Sequence, residues 1–371
     1  MDKLNILIVG GGIAGLTSAI ALRQRGFDVE IIEKDPEWTV YGVGIIQQAN
    51  VLRTVAELGI IDDYLDAGHP FNRIDIYLPD GTLAAQVPAP KLIEDYPAQL
   101  GISRRTLQKV LADKARNEGA GIRLGVVVDS IAQDEDGADV TFSDGTRGRY
   151  DLIIAADGVN SQIRGMLFPE EAPPAFAGQG VWRYNFPRLK DMDSLCVFEG
   201  PIGMGLVPIS DELMYMYVTT PEPGNPRYPA DGMAAAMRDK LKNAPPMIAQ
   251  LAATINEDEG VVYKPLFWKM LEGNWYRGKT ILIGDAAHAT TPHLGQGAGM
   301  AIEDSLVLAE CLANADSVEN AFSTFQARRE PRCRYIVESS VAICKGQIGE
   351  GPLVNNAQAT AEMFKVTAQP L

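Results

Sequence analysis

Asn5-Ile6-Leu7-Ile8-Val9-Gly10-Gly11-Gly12-Ile13-Ala14-Gly15 is the stretch whose reading decides the fold. Asn5 to Val9 is an apolar run with strand character, and the glycines follow at once. Leu16 to Arg25 then carry apolar residues at helical spacing before Gly26. Asp28-Val29-Glu30-Ile31-Ile32-Glu33 reads as a second strand that ends in an acid, so the pattern predicts a β-turn-α-β unit. The glycine spacing has a physical reason. Gly10 allows the tight turn after the strand, Gly12 leaves room for a pyrophosphate, and Gly15 lets the helix pack closely on the sheet. The helix start offers free N–H groups and a positive dipole end to phosphates. Glu33 follows Gly15 by 18 residues, the reach of a carboxylate that binds ribose hydroxyls. A dinucleotide site is the expectation.

Outward from this unit, Gly42-Val43-Gly44-Ile45-Ile46 precedes a helical stretch from about Gln48 to Leu58. Arg73 to Leu78 and Thr82 to Val87 read as strands around a Pro79-Asp80-Gly81 turn. Ser103 caps a helix predicted over Arg104 to Asn117. Arg123 to Ile131 and Asp139 to Phe142 read as strands, with Ser143-Asp144-Gly145 closing a hairpin. Tyr150 to Ala155 reads as one buried strand ending at Asp157-Gly158. From about residue 173 the texture changes. Pro173, Pro174, Pro187, Pro201, Pro208, Pro221 and Pro223 punctuate short strand-like runs such as Leu213 to Thr219, which suits an antiparallel sheet with long connections. Thr280 to Ile283 returns to the buried-strand pattern, ending at Gly284-Asp285, and a long helix is predicted from Gly297 to Leu312.

The 371 residues suffice for two cores, and 46% hydrophobic with 22% charged residues is a globular composition. The net charge of −15 argues against nucleic acid or an anionic membrane as partner. The glycines cut the first apolar run too short for a secretory leader, and no run of about 18 apolar residues is present. Cys196, Cys311, Cys333 and Cys344 form no C-x-x-C pair, so reduced thiols in a cytoplasmic protein are expected. Three histidines (His69, His288 and His293) make no H-x-x-H or Cys/His cluster, and no metal is expected. No G-x-S-x-G elbow appears either.

Gly10–Gly15, Asp157-Gly158 and Gly284-Asp285 all sit at the C-terminal ends of predicted strands, which converge on one crevice in an open α/β sheet. Three motifs then carry a likeness. They are Gly10 to Gly15 with Glu33; Asp157-Gly158-Val159-Asn160-Ser161-Gln162-Ile163-Arg164; and Gly284-Asp285-Ala286-Ala287-His288 followed by Pro292 and Gly295-Gln296-Gly297. Gly42-Val43-Gly44-Ile45 with Asn50, and Arg104-x-x-Leu107, add to them. With these the chain resembles the class A (single-component) FAD-dependent aromatic hydroxylases of the p-hydroxybenzoate hydroxylase fold.

The resemblance implies a role for each matching residue. Gly10, Gly12, Ala14 and Gly15 would cradle the FAD pyrophosphate, with Glu33 and Lys34 at the adenosine ribose. Arg104 would reach the phosphate or ribityl region, Val128 would hold adenine through its backbone, and Asp285 would accept from ribityl hydroxyls. Gly295, Gln296, Gly297 and Ala298 would face flavin N1 and C2=O, where a helix N-terminus favours the charge of the reduced ring. Asp157 is associated in the family with both FAD and the pyridine nucleotide, although Asp-Gly alone also reads as a plain turn. His288 reads as a core histidine.

On the substrate side, Tyr215 and Tyr217 share one strand face, and a phenol there can hold a substrate hydroxyl or pair with a neighbouring strand. His293, after Pro292, could hold or deprotonate an acidic group. Arg183 reads either as a carboxylate anchor or as a surface charge. Where some relatives carry a histidine this chain has Ile46, which suggests a partly apolar pocket.

The implied architecture is α/β: a Rossmann-like FAD-binding domain (1–71, 100–172 and 273–371, with C-terminal helices and tail) and an inserted β-rich substrate domain (72–99 and 173–272). The implied activity is hydroxylation of an aromatic or heteroaromatic, hydroxybenzoate- or hydroxypyridine-like substrate by way of a flavin C4a-hydroperoxide. FAD is the cofactor, NADH or NADPH the electron donor and O2 the co-substrate, in a monomer or homodimer. An FAD-dependent epoxidase or oxidoreductase on a polycyclic or lipid product, and a non-catalytic nucleotide-binding protein, are the alternatives.

Overall fold

A computed structural model describes residues 3–200 and 202–371, so Pro201 of the proline-rich insert lies outside the described residues. Ile6, Leu7 and Ile8 have no exposed surface, because the strand Asn5–Val9 lies between two parallel neighbours, Leu152–Ala155 and Asp28–Glu33. A continuous apolar run is what a strand covered on both faces requires. The sheet has six strands, in the order Tyr276–Arg277, Thr280–Leu282, Leu152–Ala155, Asn5–Val9, Asp28–Glu33, Gly121–Leu124. The register Val9↔Ala155↔Leu282 brings the three strand ends to one level.

Two helices cover this sheet on the side of those ends. Ile13–Gln24 and Gly297–Asn314 pack along each other, with Thr17 and Ser18 hydrogen-bonded to Ser305 and the Ser305 hydroxyl donating to Ala14 O. Residue 14 lies beside 301 and 17 beside 305, so both helices run the same way and start at the same end of the sheet.

The insert forms a seven-stranded sheet in the order Val262–Trp268, Ala175–Pro187, Leu213–Pro221, Met204–Pro208, Leu195–Phe198, Arg73–Tyr77, Leu83–Pro88. The register Arg183↔Tyr217 and Asn185↔Tyr215 sets these four side chains on one face. A third sheet, Gly44–Gln48 with Gln99–Ser103 and His69–Phe71, joins the halves. Gly101 is the seam, since a Cβ there would stand 1.9 Å from Pro208 O.

Three expectations are corrected. The run Arg123–Ile131 is two strands: Gly121–Leu124 ends the parallel sheet, Gly125 turns at φ +72°, and Val128–Gln133 joins Ala138–Phe142 and Arg147–Tyr150 in a separate antiparallel sheet. Tyr150–Ala155 likewise divides at Asp151, whose carboxylate accepts from Asn5 N (2.6 Å) where the chain crosses between sheets. The insert also holds two helices, Met233–Lys240 and Pro246–Ala252, that cover the far face of its sheet. At the C-terminal end, Val318–Gln347 is one 30-residue helix, and the polar tail forms a further helix, Asn356–Ala368. Arg53 holds that tail by donating to the carbonyls of Thr367, Ala368 and Gln369.

Candidate functional site

The glycine loop is built without slack. A Cβ on Gly15 would lie 1.9 Å from Gly10 O, and one on Gly10, at φ +111°, 2.4 Å from Ala156 O. Gly12 is different: nothing lies within 4 Å of a Cβ there, so its open side faces free space. Gly12 is also the N-cap of Ile13–Gln24 and has no side-chain cap, which leaves the first N–H groups of that helix, Ala14 and Gly15 among them, for a ligand. Glu33 shapes the loop, accepting from Gly11 N (2.8 Å) and Asp35 N (3.0 Å), while Lys34 beside it is exposed. Gly11 O in turn accepts from Trp38 Nε1 (2.9 Å) and Gln108 Nε2 (2.7 Å).

At the next strand end, Asp157 Oδ2 accepts from Ile163 N (3.1 Å), while Oδ1 is buried with no partner. Burial raises its pKa against the opposing hydrogen bonds of Ser161 and Ile163. Ser161 caps the short helix Gln162–Leu167, and buried Arg164 donates to Val159 O and to Ala286 O, both at 2.7 Å. The Asp157 and Asp285 segments are therefore tied together. Asp285 opens onto the groove; the surrounding protein raises its pKa by desolvation, against the pull of His288 and Arg104. Val128 lies alongside, buried, with its carbonyl accepting from Gln162 Nε2 (2.9 Å).

The third wall is the turn that opens the helix Gly297–Asn314. Pro292–Leu294 is one 3-10 turn, Gly295 follows at φ +66°, and the helix starts with no side-chain cap, so Gly297 and Ala298 carry free N–H groups. The Gln296 side chain points inward, not to the groove. It is 1% exposed and bonds the side chains of Gln48 and Asn50. Asn50 passes the network on to Glu303 (2.8 Å), which pairs with Arg329 (2.8 Å) and Arg332 (3.1 Å). Neighbouring Asp304 pairs with Arg329 and His288 and accepts from Gly284 N (2.9 Å). His288 is thus a core residue, as read from sequence. Burial opposes its charge, yet Cys333 and Asp304 beside it raise its pKa well above 6.5. His288, Asp304 and Cys333 stand close enough to suggest metal ligands, but Arg329 already neutralises Asp304.

Opposite stands the face of the seven-stranded sheet. Tyr215 lies against Gly44, where a Cβ would meet its ring at 2.2 Å, and packs with Val207, Ile209 and Phe71. Ile46 adjoins this cluster, giving the apolar side expected. Burial raises the Tyr215 pKa, while Arg183 and Arg104 lower it, so the three groups converge. Burial and the like charge of Arg104 push the Arg183 guanidinium down to about 10. Among the described residues no side-chain hydrogen bond or ion pair reaches the guanidinium of Arg104 or Arg183. Tyr217 flanks Tyr215 with ring centroids 6.3 Å apart. His293 is half-buried, and both ring nitrogens are engaged: Nδ1 with Thr291 Oγ1 (3.0 Å) and Nε2 with Gln347 Oε1 (3.1 Å).

The sequence reading passed over Gln48, Asn185, Gln108 and the Glu303-Asp304 pair. Asn185 was open to discovery, since it lies two residues from Arg183 on the same strand face; its Nδ2 donates to Gly42 O (2.8 Å) and its Oδ1 has no partner. Two adjacent acids inside the apolar run Ala301-Ile302-Glu303-Asp304-Ser305-Leu306 were a second signal.

These residues fit an FAD. Two uncapped, co-directional helix N-termini suit its pyrophosphate and the anionic edge of its ring, Gly12 leaves open space, and the orphaned Asp157 Oδ1 and unpaired Arg104 await polar partners. The comparisons agree. The family described as "FAD binding domain" matches residues 3–340. The putative FAD-dependent monooxygenase YetM of Bacillus subtilis is 30% identical over 96% of this chain and 98% of its own length. 6-Hydroxynicotinate 3-monooxygenase of Pseudomonas fluorescens is 28% identical over 88% of each. The crystal structure of Klebsiella pneumoniae HpxO complexed with FAD and uric acid superposes with a TM-score of 0.85 at 26% identity, covering 99% of this chain and 93% of that one. The chain belongs to the FAD binding domain family and is an FAD-dependent monooxygenase of the class A aromatic hydroxylase type.

Proposed function

We propose that the protein hydroxylates a small hydroxybenzoate- or hydroxypyridine-like molecule, with NADH or NADPH as electron donor and O2 as oxygen source. One observation carries this reading: the groove has a phosphate-binding wall of free helix N–H groups and, facing it, an apolar wall bearing Tyr215 and unpaired Arg183. 6-Hydroxynicotinate and urate, in the names of the relatives, are heteroaromatic and acidic, which suits that second wall. FAD held there would supply the redox chemistry that couples oxidation of the nicotinamide by O2 to oxygen transfer onto the substrate ring.

The chain binds, orients and shields. Gly10, Gly12, Ala14 and Gly15 hold the pyrophosphate, with Glu33 and Lys34 at the ribose, Val128 at the adenine and Arg104 at the phosphate or ribityl. Asp157 and Asp285 accept cofactor hydroxyls, and Gly295 to Ala298 direct their N–H groups at the ring edge. Arg183 draws an acidic substrate into a protein of the same overall sign, and Tyr215 accepts or donates a proton at the substrate hydroxyl, with Tyr217 and Pro292 closing the sides. Ile46, Phe71 and Val207 keep water from the reacting atoms. We assign 1–71, 100–172 and 273–371 to the FAD-binding domain and 72–99 with 173–272 to the substrate domain.

The test is direct. Purified protein loaded with FAD should lose its yellow absorbance anaerobically with NADH or NADPH. A panel of hydroxybenzoates and hydroxypyridines should contain one that speeds this loss and gains one oxygen from labelled O2. Protein that binds no FAD, or that is reduced yet oxygenates none of the panel, refutes the proposal.

A further inference from the structure

His293 is where residue chemistry and hydrogen bonding disagree most. It stands on the flavin-side turn as a ready base, yet it has nothing free to act with. Gln347 Oε1 only accepts, so His293 Nε2 carries a hydrogen toward it, while Nδ1 is engaged with the Thr291 hydroxyl, a group that both donates and accepts. The same Gln347 oxygen accepts from Gln179 Nε2 at 3.0 Å. Turning the Gln347 amide over alone would set its N–H groups against that of Gln179, and the Cys344 thiol lies 3.3 Å from both Gln179 Oε1 and Ala177 O. The chain Gln179–Gln347–His293 is thus continuous, and both ring nitrogens are occupied.

Gln179 has no exposed surface and lies on the strand Ala175–Pro187, the strand that also carries Arg183 and Asn185. By alternation Gln179, Val181, Arg183 and Asn185 share a face. Gln347 ends the helix Val318–Gln347, which packs on the Pro292–Leu294 turn. A single amide oxygen thus joins the turn beside the flavin site to the strand that walls the substrate side. No carboxylate or guanidinium is bonded to the ring among the described residues.

We propose that His293 is a positioning residue, and that the His293–Gln347–Gln179 clamp sets the flavin-side turn in register with the substrate-side strand. The proposal rests on the groove being the FAD and substrate site. Desolvation agrees with it, pushing the His293 pKa down to about 4 despite the opposing Gln347 bond.

The experiment uses protein labelled with ¹⁵N-histidine; three histidines give a simple spectrum, and His293→Phe assigns the signal. The expected result is a neutral Nε2–H ring that stays unprotonated down to about pH 5. In FAD-loaded protein, Gln179→Leu, which leaves the histidine untouched, should change the visible circular dichroism of the flavin in the same sense as His293→Phe. Gln347→Glu keeps the acceptor oxygens, so it should retain the wild-type dichroism while raising the His293 pKa. A ring that titrates between pH 6 and 7 in the wild type overturns the proposal. So does a flavin signal that responds to His293→Phe but not to Gln179→Leu. Absence of FAD binding would count against the monooxygenase reading instead, because the histidine titration is equally readable without cofactor.

Discussion

Gly12→Ala separates binding from folding at one atom. Gly12 has φ −83° and ψ −167°, extended backbone open to any residue, and an added methyl meets nothing within 4 Å. Alanine is a poorer N-cap than glycine, but it removes about 0.4–1 kcal/mol of unfolded-chain entropy. The two effects offset, so cofactor-free stability should change by less than about 1 kcal/mol, a melting shift of no more than about 2–4 °C. The methyl would stand where the pyrophosphate approaches the helix start. Losing one charge-assisted hydrogen bond at about 1.5–3 kcal/mol predicts FAD binding weaker by about 10- to 150-fold. Gly15→Ala should behave in the opposite way, since its methyl would stand 1.9 Å from Gly10 O and must cost about 1–3 kcal/mol of stability or more. Thermal melts of the cofactor-free variants and titration of FAD by fluorescence quenching measure both quantities. If Gly12→Ala binds FAD within twofold of wild type, or Gly15→Ala melts where the wild type does, the reading of this loop is refuted.

Three further outcomes are expected. His288→Leu leaves Asp304 with Arg329 and the Gly284 N–H and should cost about 3–5 kcal/mol. Burial alone would raise the Asp304 pKa, yet His288 and Arg329 hold it at about 2, so its contribution is present above its ordinary 3.8 and is lost as pH falls toward 2. The raised His288 pKa works in the other direction: its contribution is full below 6.5 and is lost as pH climbs through the folded value, so wild-type melting temperature should fall on the alkaline side and His288→Leu should flatten that slope. Tyr215→Phe removes a hydroxyl that no group among the described residues holds, so stability should move by less than about 0.5 kcal/mol while substrate-stimulated NAD(P)H oxidation falls about 100-fold; an unchanged rate removes Tyr215 from the chemistry. Arg53→Ala should speed amide exchange across Asn356–Ala368, and unchanged protection there would show that the tail is held by other means.

Local chemistry was legible in the sequence and long-range choices were not. The glycine loop, the Ser103 cap with its helix Arg104–Asn117, and the Ser143–Gly145 turn each depend on residues a few positions apart, so their spacing reveals them. The division of Arg123–Ile131 and of Tyr150–Ala155 depends on which sheet the chain joins, and apolar periodicity is blind to that. The same limit hid the Glu303–Arg329–Arg332 cluster, where buried charge is stable only because partners arrive from a helix over twenty residues downstream. Tyr215 and Tyr217 were singled out by strand alternation and Arg183 by its charge alone, whereas the occupied nitrogens of His293 could be learned only once Gln347 and Gln179 were brought to it.

The parallel sheet also dictates when the protein can first become an enzyme. Asn5–Val9 pairs with Leu152–Ala155, which in turn waits for Thr280–Leu282. At about 5–20 residues per second on the ribosome, roughly 15–60 s separate emergence of the first glycine turn from that of the last strand. The sheet, and with it the groove at its strand ends, is therefore complete only after residues 280–282 have been made.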